Sequence, residues 1–321
     1  MTLPQPQRVD VPAIRGWLLI EHPGPWGFSA GADTPVLPAA VRAAAAALGF
    51  RVNLIRQHRL VPRPGRERCF VSSSAGGRQL LERLPVDRLA DRFAGVAEAL
   101  AAGRPSGLAT PVAEPMYLVC TNSRRSPVCG GSGRSVARAV SAAAGPRAWE
   151  TTHVGGCRFA ANLVCLPSGV FYRGMGPAEA VALVAAADRG RIVLSRYRGR
   201  AGLSPQAQAA EWAVRQATGL DGVDALRVAE PGPPGDDDRR EVPVATPAGT
   251  YRVTVRPRDR AGQRYDVIAV TAPDGETGPR FGDGRHGFGA ELPEPACPAG
   301  TEVRFSHGVL ERKPASGSLG P

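Results

Sequence analysis

The sequence predicts an α/β protein of two halves, each a mixed sheet with flanking helices, followed by a small β-rich C-terminal region. Three observations carry this expectation. The order strand, helix, strand, hairpin, helix occurs twice between residues 15 and 190. The pattern changes after residue 190, where a helix and a Pro/Gly/Asp linker lead into alternating apolar and polar positions. A length of 321 residues, 43% of them hydrophobic, is enough for real cores in two or three domains. The expected limits are 10–110, 111–192 and 193–321.

The first half opens with "RGWLLIEHPGPWG" (15–27), a strand running into a Pro/Gly turn. "PVLPAAVRAAAAALG" (35–49) is a helix stopped by Gly49, and "FRVNLIRQ" (50–57) is a strand. "RERCFVSSS" (66–74) and "RQLLERLP" (78–85) form a hairpin around "AGG". "DRLADRFAGVAEALAAG" (87–103) is an amphipathic helix with Leu89, Phe93, Val96 and Leu100 on one face. In the second half, "MYLVCTN" (116–122) is a strand, "GRSVARAVSAAAG" (133–145) a helix and "AWETTHV" (148–154) a strand. "RFAANLVCLPSGVFYRG" (158–174) is a hairpin turning at Pro167-Ser168-Gly169, and "GPAEAVALVAAADRG" (176–190) is the closing helix. The repeat is one of pattern, since identity between the halves is weak. Its order is that of the thioredoxin-like fold. Beyond it, "SPQAQAAEWAVRQATG" (204–219) is a helix capped by Ser204 and stopped by Gly219. "EVPVATPAGTYRVTVRP" and "QRYDVIAVTAP" supply about three antiparallel strands.

The N-terminal stretch lacks the basic and apolar regions of a secretory signal. No stretch approaches the roughly 20 apolar residues of a membrane span. A cytoplasmic protein with no membrane partner is expected. The net charge is +11, and Lys313 is the only lysine, so arginine carries nearly all of the positive charge. An acidic redox partner suits such a surface. Nucleic acid is not expected, for want of an RNP-like motif, a basic recognition helix or zinc-finger spacing. "CTNSRRS" has Ser126 where a phosphatase loop has arginine, and "GGSGRS" lacks the lysine and gap of a Walker loop. The glycine-rich 278–289 stretch does not join a strand to a helix, so no phosphate role is assigned to it.

There are six cysteines: Cys69, Cys120, Cys129, Cys157, Cys165 and Cys297. In a reducing compartment, clustered cysteines more often mean metal or redox work than disulfides. Taken singly, Cys120 is an ordinary buried strand-end residue, Cys69 and Cys165 are core, and Cys297 has no partner spacing. Taken together, Cys120 and Cys129 flank one loop, while His153 and Cys157 lie on a second loop at the same sheet end. Four such ligands can hold an iron–sulfur cluster or a zinc ion. Gly155 and Gly156 let the backbone turn closely around an inorganic group. Arg124, Arg125 and Arg158 flank the ligands and balance thiolate charge, or form a solvated rim.

The segments "WLLIEHPGPWG", "LVCTNSRRSPVC" and "WETTHVGGCRFAANLVCLPSGVFY" resemble, in order and spacing, the sucrase/ferredoxin-like family of thioredoxin-like [2Fe-2S] ferredoxins. The resemblance spans about residues 15–190. It implies a [2Fe-2S] cluster used for one-electron transfer or redox sensing. The family's ligands are two cysteines and an H-x3-H pair; Cys120, Cys129 and His153 match, and Cys157 stands at the second histidine. A third thiolate in place of an imidazole adds negative charge, which lowers the potential relative to bis-histidine relatives. It also leaves one proton-coupled step, at His153, instead of two. A thiol–disulfide oxidoreductase, a structural zinc protein and a non-redox interaction module remain alternatives, although no C-x-x-C stands where thioredoxins place it. Sugar cleavage is not expected, because Glu150 has no evident second carboxylate.

Overall fold

The computed structural model describes residues 11–29, 37–58, 67–75, 78–258 and 264–276. Cys297 and the 278–289 stretch lie outside the described residues. The first half runs β1 (Gly16–Glu21), α1 (Ala39–Ala47), β2 (Phe50–Arg56), β3 (Arg68–Ser73), β4 (Leu80–Pro85), α2 (Leu89–Ala101) and β5 (Thr110–Pro111). The second runs β6 (Met116–Cys120), α3 (Pro127–Ala144), β7 (Ala148–Thr151), β8 (Leu163–Leu166), β9 (Val170–Tyr172) and α4 (Pro177–Ala187). Then follow β10 (Tyr197–Arg200), α5 (Pro205–Thr218), β11 (Arg227–Val228), β12 (Arg240–Thr246), β13 (Gly249–Pro257) and β14 (Tyr265–Thr271).

The two halves share strand logic. β1 pairs parallel with β2 and antiparallel with β3, which pairs with β4. β6 likewise pairs parallel with β7 and antiparallel with β8, which pairs with β9. The expected separate sheets are nevertheless one ten-stranded mixed sheet, ordered β10-β9-β8-β6-β7-β2-β1-β3-β4-β5. The edges of β2 and β7 are what fuse them. Ile55 pairs with Thr151 and Arg56 with Glu150, so neither edge is left with unpaired backbone groups at the seam.

Alternation of side chains across the strands divides the core into three. Leu18, Ile20, Leu54, Cys69 and Val71 meet α1 and α2 on one face of the first half. Tyr117, Val119 and Cys165 meet α3 and α4 on one face of the second, in a core that continues through α5 into the C-terminal sheet. The two remaining faces share a third core. Trp17, Leu19 and Phe70 there join Leu118, Trp149, Val164 and Phe171. Trp17 and Phe171 have ring centroids 6.1 Å apart, and Phe70 meets Trp149 edge-on at 5.7 Å. Cys120, Cys129 and Cys157 border this shared core.

The C-terminal region is a four-stranded antiparallel sheet, ordered β11-β12-β13-β14, with α5 against it. Ser204 caps α5 by accepting from Ala207 N, and Gly219 ends it in the left-handed region at φ 72°. Both were expected. Among the described residues, no helix is long and apolar enough to cross a membrane.

One expected boundary is corrected. The helix foreseen at 133–145 begins at Pro127, so Cys129 lies in its first turn and not in a loop before it. Proline at the first helical position starts α3, and Gly130 and Gly133 within it allow close packing. A Cβ at Gly133 would lie 2.1 Å from the Cys120 carbonyl oxygen, and one at Gly130 would lie 2.5 Å from Ser123 Cβ. Gly133→Ala is therefore expected to destabilise the fold by about 1–3 kcal/mol through overpacking. Urea unfolding measures this, and an unchanged midpoint would contradict the tight seating of α3 on β6.

Candidate metal centre

The first candidate loop leaves β6 at Cys120, whose amide donates to Asn162 O at 3.1 Å. Thr121 N donates to Thr151 O, and Ser126 N donates to Asn122 O, folding the loop back before α3. Asn122 Oδ1 also accepts from Arg125 N at 3.3 Å. This turn brings Cys129, on the first turn of α3, under Cys120; both are buried.

The second loop leaves β7 after Thr151. Gly155 (φ 94°) and Gly156 (φ 68°) both occupy the left-handed region, where a side chain would be strained. They reverse the chain so that Cys157 faces His153, with Sγ 3.2 Å from Nδ1. Asn162 Nδ2 donates to Gly156 O at 2.8 Å and holds the reversal.

The four predicted ligands thus come together, and their interactions close a ring. Cys120 interacts with Cys129 and His153, and Cys157 interacts with Cys129 and His153. Contact with Cys129 lowers Cys157 to about 4 against the opposing effect of burial, with help from His153 and Ser126. Cys120 is lowered by Cys129 in the same way, and burial opposes this too. Cys129 is raised by hydrogen bonding of its thiol to the Cys120 and Cys157 sulfurs, and burial adds to this. Burial disfavours a charged His153, but the sulfurs of Cys120 and Cys157 outweigh it and raise the imidazole. Three sulfurs and one imidazole, each near enough to two others to shift its protonation, are a donor set chemically suited to a group with four protein ligands. Among the described residues, no group of three or more His, Cys, Asp or Glu side chains stands at the spacing of a single metal ion.

The flanking residues divide. Arg124 and Arg158 are exposed. Arg158 lies over the Phe159 ring at 4.7 Å, and Arg125 over the half-exposed Phe28 ring at 4.0 Å. Cys69 and Cys165 are buried in the two helix-covered cores, away from the ring. Burial pushes the Cys69 thiol up to about 12, and Cys165 is raised by the same cause.

Two residues next to the site carried no sequence signal. Arg51 Nη2, from β2, donates to His153 O at 2.5 Å. Arg198 Nη1, from β10, donates to Gly155 O at 3.2 Å. The turn after β1 also reaches this seam. Trp26 is buried and stacks under Arg56 at 4.3 Å, and Asn122 Nδ2 donates to Gly27 O at 3.2 Å. His22 braces that turn by accepting from Gly24 N. Glu150 binds Arg56 at 2.7 Å, His58 at 3.0 Å and Thr121 at 2.9 Å. Burial would raise its pKa, but these partners outweigh it and lower it. Its carboxylate is a fastener between the halves.

Comparison with known proteins gives one match. A family model described as sucrase/ferredoxin-like matches residues 11–199. No curated protein and no solved structure matches the chain.

Proposed function

The chain belongs to the sucrase/ferredoxin-like family, whose model covers more than half of it, and on that premise we propose a [2Fe-2S] protein that transfers single electrons or senses redox state. The observation that carries this reading is the ring of Cys120, Cys129, Cys157 and His153. Cys120, Cys129 and Cys157 would bind as thiolates and His153 through its imidazole. Bound there, the cluster would supply reversible one-electron chemistry. Half-exposed His153 and Cys157 would put the electron's exit on the side of the second loop. The matching strand pairing of the two halves supports a thioredoxin-like origin for each. A net charge of +11, with Arg124 and Arg158 exposed beside the ligands, supports an acidic redox partner. Work in the reducing cytoplasm fits the free cysteines.

The test is anaerobic purification followed by visible spectroscopy and analysis for iron, acid-labile sulfide and zinc. The expected result is brown protein with about two irons and two sulfides per chain that bleaches with dithionite. Colourless protein with one equivalent of zinc would replace this reading with a structural metal site on the same donors. Protein that stays colourless and metal-free after reconstitution would refute both.

A further inference from the structure

The loop carrying His153 and Cys157 is fastened from outside its own half. From β2, Arg51 holds the His153 carbonyl. Asn53 Nδ2 lies within hydrogen-bond distance of the Thr152 (3.1 Å) and His153 (3.3 Å) carbonyls and of the Thr151 and Thr152 hydroxyls, among which it shares its two hydrogens. From the opposite side, Arg198 binds Gly155 O. A Cβ at Gly156 would meet the guanidinium carbon of Arg198 at 2.6 Å, so this glycine is required for the arginine to lie where it does.

Arg51 differs from the other arginines in its counter-charge. Burial lowers its pKa to about 10, which still leaves it cationic at neutral pH. The groups that favour its charge are the Cys120 and Cys157 sulfurs, while Arg198 and Arg125 oppose it. Arg51 is partly buried against the His153 loop, and the anionic groups that favour its charge there are the sulfurs of the proposed ligands. The site also has an excess to balance, because Cys157 is a thiolate donor where the family motif has a neutral histidine.

We propose that Arg51 is the counter-charge of this three-thiolate site, donated by the first half, and that it sets the reduction potential while holding the second ligand loop in place. This rests on the [2Fe-2S] reading above. Adding an electron makes the site more negative, and a cation held by hydrogen bond to the His153 carbonyl, on the loop of two proposed ligands, favours that state. Arg51 therefore offsets part of the drop in potential that the third thiolate causes. The first half is then a working part of the centre, although it supplies no ligand.

Charge and clamp are separated by two variants of the full-length chain. Arg51→Lys keeps the charge and loses the guanidinium fork, whereas Arg51→Gln keeps a donor and loses the charge. Iron content, visible spectrum and potential are read by anaerobic redox titration. Arg83→Gln, at an exposed position on β4, serves as the control and is expected to match the parent. Arg51→Lys is expected to load fully with a potential near the parent's. Arg51→Gln is expected to load with a clearly more negative potential. If Arg51→Gln fails to load, adding Cys157→His, which removes one thiolate, is expected to restore iron. The proposal is overturned if Arg51→Gln is fully loaded at the parental potential, or if it is empty and Cys157→His does not rescue it. A parent chain without iron would instead defeat the cluster reading, so the two failures are distinguishable.

Discussion

Serine in place of Cys157 is expected to strip the centre while leaving the fold intact. Cys157 contacts both Cys129 and His153, so its loss opens the ring at two points. Serine is a poor ligand for soft metals, whereas removing even an outer-shell partner costs roughly 10–100-fold in metal affinity. Retained iron should therefore fall by more than that. The fold should persist, because Gly155, Gly156 and the Asn162 bond shape the loop without the sulfur. Iron analysis and far-UV circular dichroism on one preparation check both halves of the expectation. Cys165→Ser is the companion. Cys165 is buried in the helix-covered core of the second half, so its variant should lose stability but keep iron. Equal iron in the parent and the Cys157 variant would remove Cys157 from the ligand set.

Glu211→Ala is expected to give the largest loss of stability. Glu211 and Arg215 are both fully buried on α5, 2.9 Å apart. Arg200 reaches the same carboxylate at 3.1 Å, and Tyr197 OH donates to it at 2.7 Å. Removing the acid leaves the fully buried Arg215 without its carboxylate, and Arg200 with Asp224 as its remaining acidic neighbour, in the core that joins the second half to the C-terminal sheet. Breaking a buried pair in this way costs about 3–5 kcal/mol. Thermal unfolding would then move down by on the order of 10 °C. Burial raises the Glu211 pKa, but Arg200 and Arg215 outweigh it, so the folded value lies below the unfolded one. Its contribution is thus complete above about pH 4.3 and is lost as pH falls through the folded value. The parent should lose stability on acidification more steeply than the variant. A variant that unfolds with the parent at every pH would show that the buried network carries no net stability.

The grouping of the four candidate residues was legible in the sequence because each pair is local. Cys120 and Cys129 bracket one turn, His153 and Cys157 another, and strand order predicts that both turns lie at one pole. The start of α3 was misjudged because Gly130 and Gly131 oppose helix by propensity, whereas the close approach of Gly130 to Ser123 and of Gly133 to the Cys120 carbonyl fits the helix tightly in place. Fusion of the two sheets was not legible, since it rests on two residue pairs across the seam, Ile55 with Thr151 and Arg56 with Glu150. Arg51 and Arg198 were hidden for a different reason. One arginine among many has no local signature, and only the fold sets these two against the loop of His153 and Cys157.

The fastening of the His153 loop also imposes an order of manufacture. Arg51 lies 102 residues before His153, and Arg198 lies 43 residues after Gly155. A nascent chain that has just released Cys157 from the ribosome already carries all four proposed ligands, yet β10 has still to emerge and clamp their loop. On the cluster reading, metal delivered after residue 198 would meet a finished cradle, and metal delivered earlier would meet loose thiols. A truncated chain ending before β10 would carry every proposed ligand and still lack one side of the mould.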